Sequence, residues 1–415
     1  MGTERRRLRE PVSVAPLVRL RVTFGALMAV AVARYFAHGW IDAQFVAPRF
    51  FFPYAGFGWV RPWPAPWMHL HFAALGVLAL AIAAGWRHRL ACALFCVGFT
   101  WVHAIDRTNY LNHYYLVSLV AALLACLPLD RRRTRDTVPR WQLDLVRFQV
   151  GAVYFFAGVA KLQPDWLLRA QPLRIWFAAA DVPAPLAALL ALPATSFAAS
   201  WAAAAFDLSI PFLLAWRRTR RVAFVALVAF HAITGWLFPI GLFPWLMVAM
   251  ASVFLGEDRA QEESRDAVSA CGDRVAPSRA VVALAALWVA LQLALPLRAF
   301  AMPGDVLWNE AGMRFSWRVM IAEKQGATSF RVRDPATGRE RVVHPSDELT
   351  PAQVRMMATQ PDMLLSYAHH LAEGARVAGV ARPEVYADGR VSLNGRPGRP
   401  LVDPTIDLAA LPEGT

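Results

Sequence analysis

The sequence predicts a mainly α protein, a polytopic membrane helix bundle with about nine spans and a small α+β domain outside the membrane. Three observations predict this class. Apolar runs close to the ~20 residues that a membrane helix needs recur along most of the chain. Short arginine clusters separate the runs, although charged residues make up only 18% of the chain and hydrophobic residues 57%. After Pro303 the apolar runs give way to alternating and polar patterns.

Nine apolar runs are interpreted as spans, and several are shorter than a full crossing, so tilted or partly broken helices are expected. In order they are 20–40, 67–86, 90–105, 113–129, 143–162, 196–216, 222–238, 240–254 and 280–297. The segment 163–193 mixes tryptophans with charged residues and is interpreted as an interfacial or re-entrant stretch. A tenth span there is the alternative.

The arginine distribution predicts the orientation in the membrane. Arginines concentrate at the N-terminus and in the loops after the second, fourth, sixth and eighth runs, whereas the intervening loops are poorer in them. Positive loops stay on the cytoplasmic side, so the N-terminus is expected in the cytoplasm and the C-terminal segment on the far side. The net charge of +13 lies in these clusters and not along one face, so no nucleic-acid partner is expected.

Residues 1–300 are predicted to form the transmembrane domain and residues 301–415 a small extracytoplasmic α+β domain. The segment 329–343 alternates around a turn signal at 334–338, which predicts a β-hairpin. The segment 350–376 is predicted to be helical, and 383–393 to form a second short strand pair around Asp388 and Gly389.

The four cysteines predict neither a disulfide framework nor a metal site. Cys92, Cys96 and Cys126 lie in apolar runs, Cys271 lies in a polar loop, and the sequence contains no CxxC motif. We therefore expect no metal cofactor.

Ionisable residues at membrane depth are costly and are the first candidates for function. Three clusters stand out. Asn112 and His113 lie where the fourth run begins, Lys161 ends the fifth run, and Asp207 lies in the sixth with His231 in the seventh.

Each cluster also has a purely structural interpretation. His113 could be an interfacial helix cap, His231 a satisfied core histidine, and Lys161 a snorkelling lysine. Asp207 could pair with Arg147 for folding alone. The chemical interpretation is that an amine in apolar surroundings can serve as a base, while a nearby His–Asn pair stabilises an oxyanion. Such a site could deprotonate a lipid-soluble acid such as a quinol.

Six segments carry a resemblance to a known family. They are TNYLNHYYL (108–116), YFFAGVAKLQPDW (154–166), FDLSIPFLL (206–214), FHAITGWLFPIGLFPW (230–245), NEAGMRFSWRVM (309–320) and LVDPTIDL (401–408). Through them the sequence resembles the vitamin K-dependent γ-glutamyl carboxylase family, in the bacterial branch called the horizontally transferred transmembrane (HTTM) domain. The resemblance implies a bacterial inner-membrane protein.

The resemblance also implies an activity. The family uses reduced vitamin K (a naphthohydroquinone), O2 and CO2 to carboxylate protein glutamates. Lys161 would deprotonate the hydroquinone, and Asn112 and His113 would stabilise the oxyanion. Oxidation of the quinol to its 2,3-epoxide would supply the base that takes the glutamate γ-proton, and the carbanion would capture CO2. The implied partners are the lipid bilayer, the membrane quinol and a glutamate-containing protein.

The remaining site predictions follow the matched segments. The predicted quinol-binding residues are Tyr110, Tyr154, Trp166, Asp207, His231 and Phe243. The predicted glutamate-substrate region contains Arg314, Trp317 and Met320.

Departures from the animal enzymes argue against propeptide-directed, processive carboxylation. Ala160 replaces a second lysine, Tyr110 and Leu111 replace a Trp–Asn pair, the stretch 312–315 lacks the family's tyrosine, and the long animal C-terminal region is missing. Three alternatives therefore stay open: epoxidation without carboxylation, a non-catalytic quinone- or lipid-binding protein, and a transporter. The transporter is the least favoured, because the sequence shows no pair of repeats with broken helices.

Overall fold

The computed structural model describes residues 8, 10–131, 136–256 and 278–412. Three of the arginine clusters lie mostly outside the described residues: those at the N-terminus, at 132–135 and at 257–277. Cys271 also lies outside them. The membrane part contains the helices α1 Ala15–Ala37, α2 Ala65–Ala84, α3 His88–Ala104, α4 Asn112–Cys126, α5 Arg140–Lys161, α6 Pro164–Arg169, α7 Leu173–Ala178, α8 Ala184–Leu190, α9 Pro193–Ala215, α10 Arg220–Leu237, α11 Phe243–Ala251 and α12 Arg279–Leu297. Strand β1 Pro11–Ser13 pairs antiparallel with β2 Thr137–Pro139.

The predicted helical class is confirmed, but the count of nine spans is not. Every predicted run coincides with a helix, yet only six helices within the described residues are long and apolar enough to cross a membrane. These are α1, α2, α5, α9, α10 and α12. Helices α4 and α11 are apolar but shorter, and α3 has 17 residues.

The alternative of a tenth span in 163–193 is wrong. This segment forms α6, α7 and α8, which have six, six and seven residues. Pro164, Pro172 and Pro183 lie at or next to the start of these helices, and a proline cannot donate the backbone hydrogen bond that would continue a preceding helix. None of the three reaches the length of a membrane crossing.

The two ends of the bundle differ in character. At one end Arg140 Nε donates to Glu10 over 3.0 Å, and Arg19 donates to the Leu255 carbonyl over 2.9 Å. At the opposite end the loop between α1 and α2 inserts Phe52 into the core of the C-terminal domain. Lys161, Asn112 and His113 lie at this second end, beneath the domain, because α4 begins there and α5 ends there.

The C-terminal domain is a four-stranded antiparallel sheet covered by helices. It contains α13 Val306–Asn309, β3 Lys324–Arg333, β4 Glu340–Val343, α14 Pro351–Met357, α15 Pro361–Val377, β5 Glu384–Leu393 and β6 Arg399–Pro400, with strand order β4-β3-β5-β6. Helix α15 buries Met363 and Tyr367 against Phe330 and Val385 of the sheet. This apolar layer holds the domain together, since burying large side chains is the main favourable contribution to folding.

The structure confirms the first predicted hairpin and corrects the second. Strands β3 and β4 pair with Phe330 opposite Val343, and Gly338 in the turn has φ +70°. The second strand pair is wrong, because β5 is one continuous strand along β3. A Cβ at Gly389 would lie 2.3 Å from Thr328 Oγ1, so this glycine permits close approach of the strands and forms no turn. The helix predicted at 350–376 is divided into α14 and α15 before Pro361.

A charged cluster joins the domain to the membrane part. Arg107, from the loop before α4, donates to Asp362 Oδ2 over 2.7 Å, and Arg314 donates to the same oxygen over 2.6 Å. Arg107 also donates to Ser366 Oγ. Burial alone would raise the pKa of the Asp362 carboxyl, but the two guanidinium groups outweigh it and hold this pKa below its usual value.

We predict that Asp362→Asn weakens the attachment of the domain. The side chain of Arg107 is only 10% exposed, so losing the carboxylate leaves two neighbouring cations without their counter-ion. We expect a loss of about 1–3 kcal/mol in the free energy of unfolding, less than for a fully buried pair because Asp362 is partly exposed. Thermal unfolding and limited proteolysis of the purified protein measure it.

Asp388→Asn, on an exposed part of β5, is the matched control and should change neither measurement. Because the folded-state pKa of Asp362 is lowered, its contribution is present above the unfolded pKa of about 4 and is lost as the pH falls through the folded value. The wild-type domain should therefore stay attached at neutral pH and loosen only in strong acid. Equal proteolysis rates for Asp362→Asn and Asp388→Asn would contradict the assignment.

Candidate active site

Lys161 ends α5 with its amine buried against a carboxylate. Its Nζ lies 2.7 Å from Asp207 Oδ2 and 3.2 Å from the Ala157 carbonyl, and the two side chains are 8% and 7% exposed. The ammonium also lies over the Trp166 ring, 5.2 Å from its centroid. The interpretation of Lys161 as a snorkelling lysine is therefore wrong.

A glycine explains why α5 and α9 approach closely at this point. A Cβ at Gly158 would lie 2.8 Å from both Cγ and the backbone nitrogen of Leu208, so only glycine fits there without a shift. Lys161 lies one turn further along α5, and Asp207 directly precedes Leu208. The close contact between the two helices therefore brings the amine to the carboxylate.

The predicted alternative that Asp207 pairs with Arg147 is wrong. Arg147 donates to the Val253 carbonyl over 3.2 Å and lies 3.5 Å from Asp144 on its own helix. Asp207 forms its ion pair with Lys161. Asp207 was predicted as a quinol-binding residue, and the structure adds that it is the partner of the predicted base.

A cavity of about 460 Å³, here called the lysine cavity, opens beside this ion pair. Its ionisable groups come from Lys161, Asp207, Tyr154 and His231, and most of its wall is apolar. The aromatic wall residues are Trp166, Trp176, Phe177, Phe206, Phe230, Phe238 and Phe243. A mostly apolar cavity of this size with a few converging polar groups suits a small aromatic molecule.

Tyr154 and His231 form a second polar pair in the wall of the lysine cavity. The Tyr154 hydroxyl lies 2.6 Å from His231 Nε2, and both residues are buried. Within the described part of the chain, His231 Nδ1 is buried without a hydrogen-bond partner. A buried polar atom without a hydrogen-bond partner is unfavourable. A bound ligand could supply the missing partner of this nitrogen. The interpretation as a fully satisfied core histidine does not hold for this nitrogen.

Asn112 and His113 belong to a neighbouring cavity of about 500 Å³, here called the histidine cavity. The two cavities share the wall residues Ile240, Phe243, Val319 and Met320. The Phe243 ring centroid lies 5.7 Å from that of His113 and 6.1 Å from that of His231. The structure thus brings the predicted base and the predicted oxyanion pair to two sides of one shared wall.

The amide of Asn112 is engaged with the segment 310–320. Its Nδ2 donates to the Arg318 carbonyl over 3.2 Å, and its Oδ1 accepts from the Tyr110 hydroxyl over 3.0 Å. Tyr110 in turn accepts from the backbone N–H of Phe315 over 2.6 Å. Tyr110, predicted to bind the quinol, therefore lies behind the cavity wall and holds this segment in place.

The predicted glutamate-substrate residues are divided by the structure. Met320 lies in the wall of both cavities. Arg314 is held by Asp362 and Gln360, and Trp317 is 1% exposed with its ring stacked on Tyr115. Neither Arg314 nor Trp317 contributes to the cavity walls that the structure describes.

Backbone strain is concentrated in this segment. The non-glycine residues with positive φ are Glu310, Phe315, Trp317 and Met320. Such conformations cost about 1–3 kcal/mol each and persist only where the surroundings enforce them. The hydrogen bonds from Asn112 and Tyr110 are part of that enforcement, and they fix the position of Met320 between the cavities.

The sequence search missed Arg34, which lies in the wall of the histidine cavity. The available signal was an arginine inside the first predicted span, an ionisable residue at membrane depth. Trp176 was also not singled out, although it lines the lysine cavity and its Nε1 donates to Glu323 Oε2 over 2.8 Å.

The matched segment around Lys161 also anchors the C-terminal domain. Asp165 accepts from Asn394 Nδ2 over 2.8 Å and from the Arg396 guanidinium. Trp166 donates through Nε1 to the Ser200 carbonyl over 2.8 Å. One short sequence therefore supplies the buried amine, an aromatic wall and the attachment of the domain above it.

Fold and site together define a class: a membrane helix bundle with a buried lysine–aspartate pair beneath a small α+β domain. The model of the HTTM domain matches residues 9–258, and the model of the vitamin K-dependent gamma-carboxylase lumenal domain matches residues 277–414. The chain belongs to the gamma-carboxylase/HTTM family, as its sequence motifs predicted. No solved structure matches the chain. The second match includes α12, and the predicted domain boundary at residue 300 stays a prediction.

Proposed function

We propose that this protein is a gamma-carboxylase-like membrane enzyme that oxidises a reduced naphthoquinone with O2 to its epoxide. We further propose that the oxidation is coupled to carboxylation of a protein glutamate with CO2. The observation that carries the proposal is the Lys161–Asp207 pair, 2.7 Å apart and buried in the wall of an apolar cavity. A protein that only bound a quinone would have no need of a buried, paired amine in its pocket.

The pair can accept a proton without leaving an isolated charge. As a quinol hydroxyl passes its proton to Lys161 Nζ, the amine can pass a proton to Asp207 across their hydrogen bond. The pair then carries one positive charge beside one quinolate anion, which limits the cost of burying either charge. The electron-rich face of Trp166 adds a favourable interaction with the ammonium.

Two histidines can act on the quinol, and Asn112 supports the wall between them. His231 Nδ1 lacks a partner in the described part of the chain and can hydrogen-bond a second oxygen of the ring. His113 lies on the far side of Phe243. It can stabilise negative charge on a quinol oxygen if the quinol ring extends beneath the Met320 side chain, which is flexible. Asn112, engaged with Arg318 and Tyr110, supports this wall.

The quinol itself supplies the energy of the reaction. Its oxidation by O2 yields the epoxide and water and generates the base that removes a γ-proton from glutamate, after which CO2 forms a bond to that carbon. The contribution of the chain is to exclude water, because aromatic and aliphatic residues make up most of the cavity walls. We also propose the orientation from the arginine clusters, with the N-terminus cytoplasmic and the C-terminal domain outside a bacterial inner membrane.

A second candidate, epoxidation without carboxylation, is favoured by one observation. Arg314, predicted to lie near the glutamate substrate, is held by Asp362 instead of facing a cavity. Quinol oxidation needs no place for a glutamate side chain.

We predict that the purified wild-type protein converts vitamin K hydroquinone to the epoxide in the presence of O2 and fixes labelled bicarbonate into a glutamate peptide. Epoxide by chromatography and label in the peptide are measured in the same reaction. Epoxide with label supports the carboxylase, and epoxide without label supports the second candidate. If neither product forms, quinone or lipid binding is the remaining function.

A further inference from the structure

Arg34 lies in the wall of the histidine cavity, where the described part of the chain offers it no counter-ion. Within the described residues its guanidinium makes neither an ion pair nor a hydrogen bond, and it lies over the Trp40 ring, 5.3 Å from the centroid. It is half-buried near the end of α1 that faces the C-terminal domain. A guanidinium that has lost part of its hydration and has no acidic partner is suited to bind an anion.

The other cations near the two cavities are paired or lie outside the cavity walls, as does Arg318, whose guanidinium lies over the Phe300 ring. Lys161 is bonded to Asp207, and Arg314 is bonded to Asp362. Of the charged groups that the structure describes in the two walls, Arg34 is the cation left available. It lies in the same cavity as His113 and Asn112, across the shared wall from Lys161.

We propose that Arg34 binds the side-chain carboxylate of the glutamate substrate and that the histidine cavity is the glutamate subsite. This inference rests on the proposed function and names the place of its second substrate. The quinol would occupy the lysine cavity, and the two substrates would meet at Phe243 and Met320. A volume of about 500 Å³ accommodates a glutamate side chain with CO2 beside it.

The chemistry of the proposed reaction requires a cation at this place. When the quinol-derived base takes a γ-proton, the electron pair left on carbon spreads onto the adjacent carboxylate, which then carries a second negative charge. A guanidinium can donate two parallel hydrogen bonds to the carboxylate and stabilise that charge as it develops. The electron pair then forms the bond to CO2, and the new carboxylate takes the charge.

A lipid phosphate is the competing anion, because Arg34 lies near the end of a membrane helix. The structure favours the carboxylate for two reasons. Arg34 shares its cavity with His113 and Asn112, and the cavity adjoins the proposed quinol site at Met320. A lipid headgroup would need none of these neighbours.

Binding of a labelled glutamate peptide and of its glutamine counterpart to the purified protein tests the proposal without requiring turnover. The wild type should bind the glutamate peptide at least about tenfold more tightly, the scale of one charge-assisted pair. Arg34→Gln should lose this preference, and Arg34→Lys should keep part of it, because lysine retains the charge but not the paired donors. Arg61→Gln, at an exposed arginine in the loop between α1 and α2, should keep the full preference.

The outcomes separate the two proposals. A wild type that makes no epoxide contradicts the proposed function, while the peptide preference and its loss in Arg34→Gln still decide the role of Arg34. A preference that survives in Arg34→Gln overturns the glutamate subsite. A second measurement compares the thermal stability of the protein in phosphatidylglycerol and in phosphatidylcholine nanodiscs. If Arg34→Gln abolishes only the extra stability in phosphatidylglycerol and keeps the peptide preference, the anion is a lipid headgroup and the proposal is wrong. If Arg34→Gln does not fold, Arg34→Lys decides, since an unchanged preference there contradicts paired hydrogen bonding to the carboxylate.

Discussion

Lys161→Ala is expected to lower the rate of epoxide formation by a factor of about 10²–10⁴, the usual contribution of a positioned general base. The amine lies in the wall of the lysine cavity and is hydrogen-bonded to Asp207, so no solvent base can replace it directly. Epoxide production from vitamin K hydroquinone measures the effect. A small amine added to the medium should restore part of the activity, because the truncation leaves space beside the carboxylate.

Stability is the main complication of this test. Removing Lys161 leaves the Asp207 carboxylate buried without its cation, which can cost about 3–5 kcal/mol of folding free energy. The double variant Lys161→Met with Asp207→Leu removes both charges and should fold while staying inactive. If Lys161→Ala is folded and fully active, Lys161 is not the base.

His113→Ala is expected to lower the rate of epoxide formation by a factor of about 10²–10³, which is the effect of losing one donor to a developing oxyanion. The residue lies across Phe243 from the lysine cavity, so its effect also tests whether the bound ring reaches both sides of the shared wall. The rate at saturating quinol should fall more than the affinity for quinol, because the interaction strengthens with the charge.

His71→Ala is the matched control for this variant. His71 lies on α2, contacts the Gly98 carbonyl through Nε2 over 3.0 Å, and is not among the described residues that line the two cavities. It should leave the rate within about twofold, as expected for a residue remote from the chemistry. A His113→Ala rate equal to that of His71→Ala would remove His113 from the mechanism and restrict the site to the lysine cavity.

The two leading functions differ in how much of the structure they use. Epoxidation requires the lysine cavity and His113 across the shared wall, whereas carboxylation also requires a place for glutamate beside them. The histidine cavity with Arg34 offers that place, and the predicted region around Arg314 does not, because Arg314 is bonded to Asp362 and Gln360. The peptide-binding test on Arg34 therefore bears directly on which function the protein has.

The sequence located the buried ionisable residues better than their partners. Lys161, Asp207 and His231 stand out in apolar runs because an ionisable residue there is costly whatever the fold. Their partners did not follow from the sequence: Arg147 was one candidate partner for Asp207, but the close approach allowed by Gly158 brings Lys161 to Asp207 instead. The predicted second hairpin failed for a related reason, since Gly389 permits contact with a neighbouring strand and forms no turn.

The helical membrane class, the family and the first β-hairpin were determined by the sequence alone. Each of these depends on local composition, on periodicity or on a motif within a short stretch of chain. The tertiary structure decided that Lys161 faces Asp207, that Phe243 and Met320 form a wall between two cavities, and that Arg34 lies in one of them. These features join residues from different helices, and their distances depend on how closely the helices pack, which no single stretch of sequence encodes.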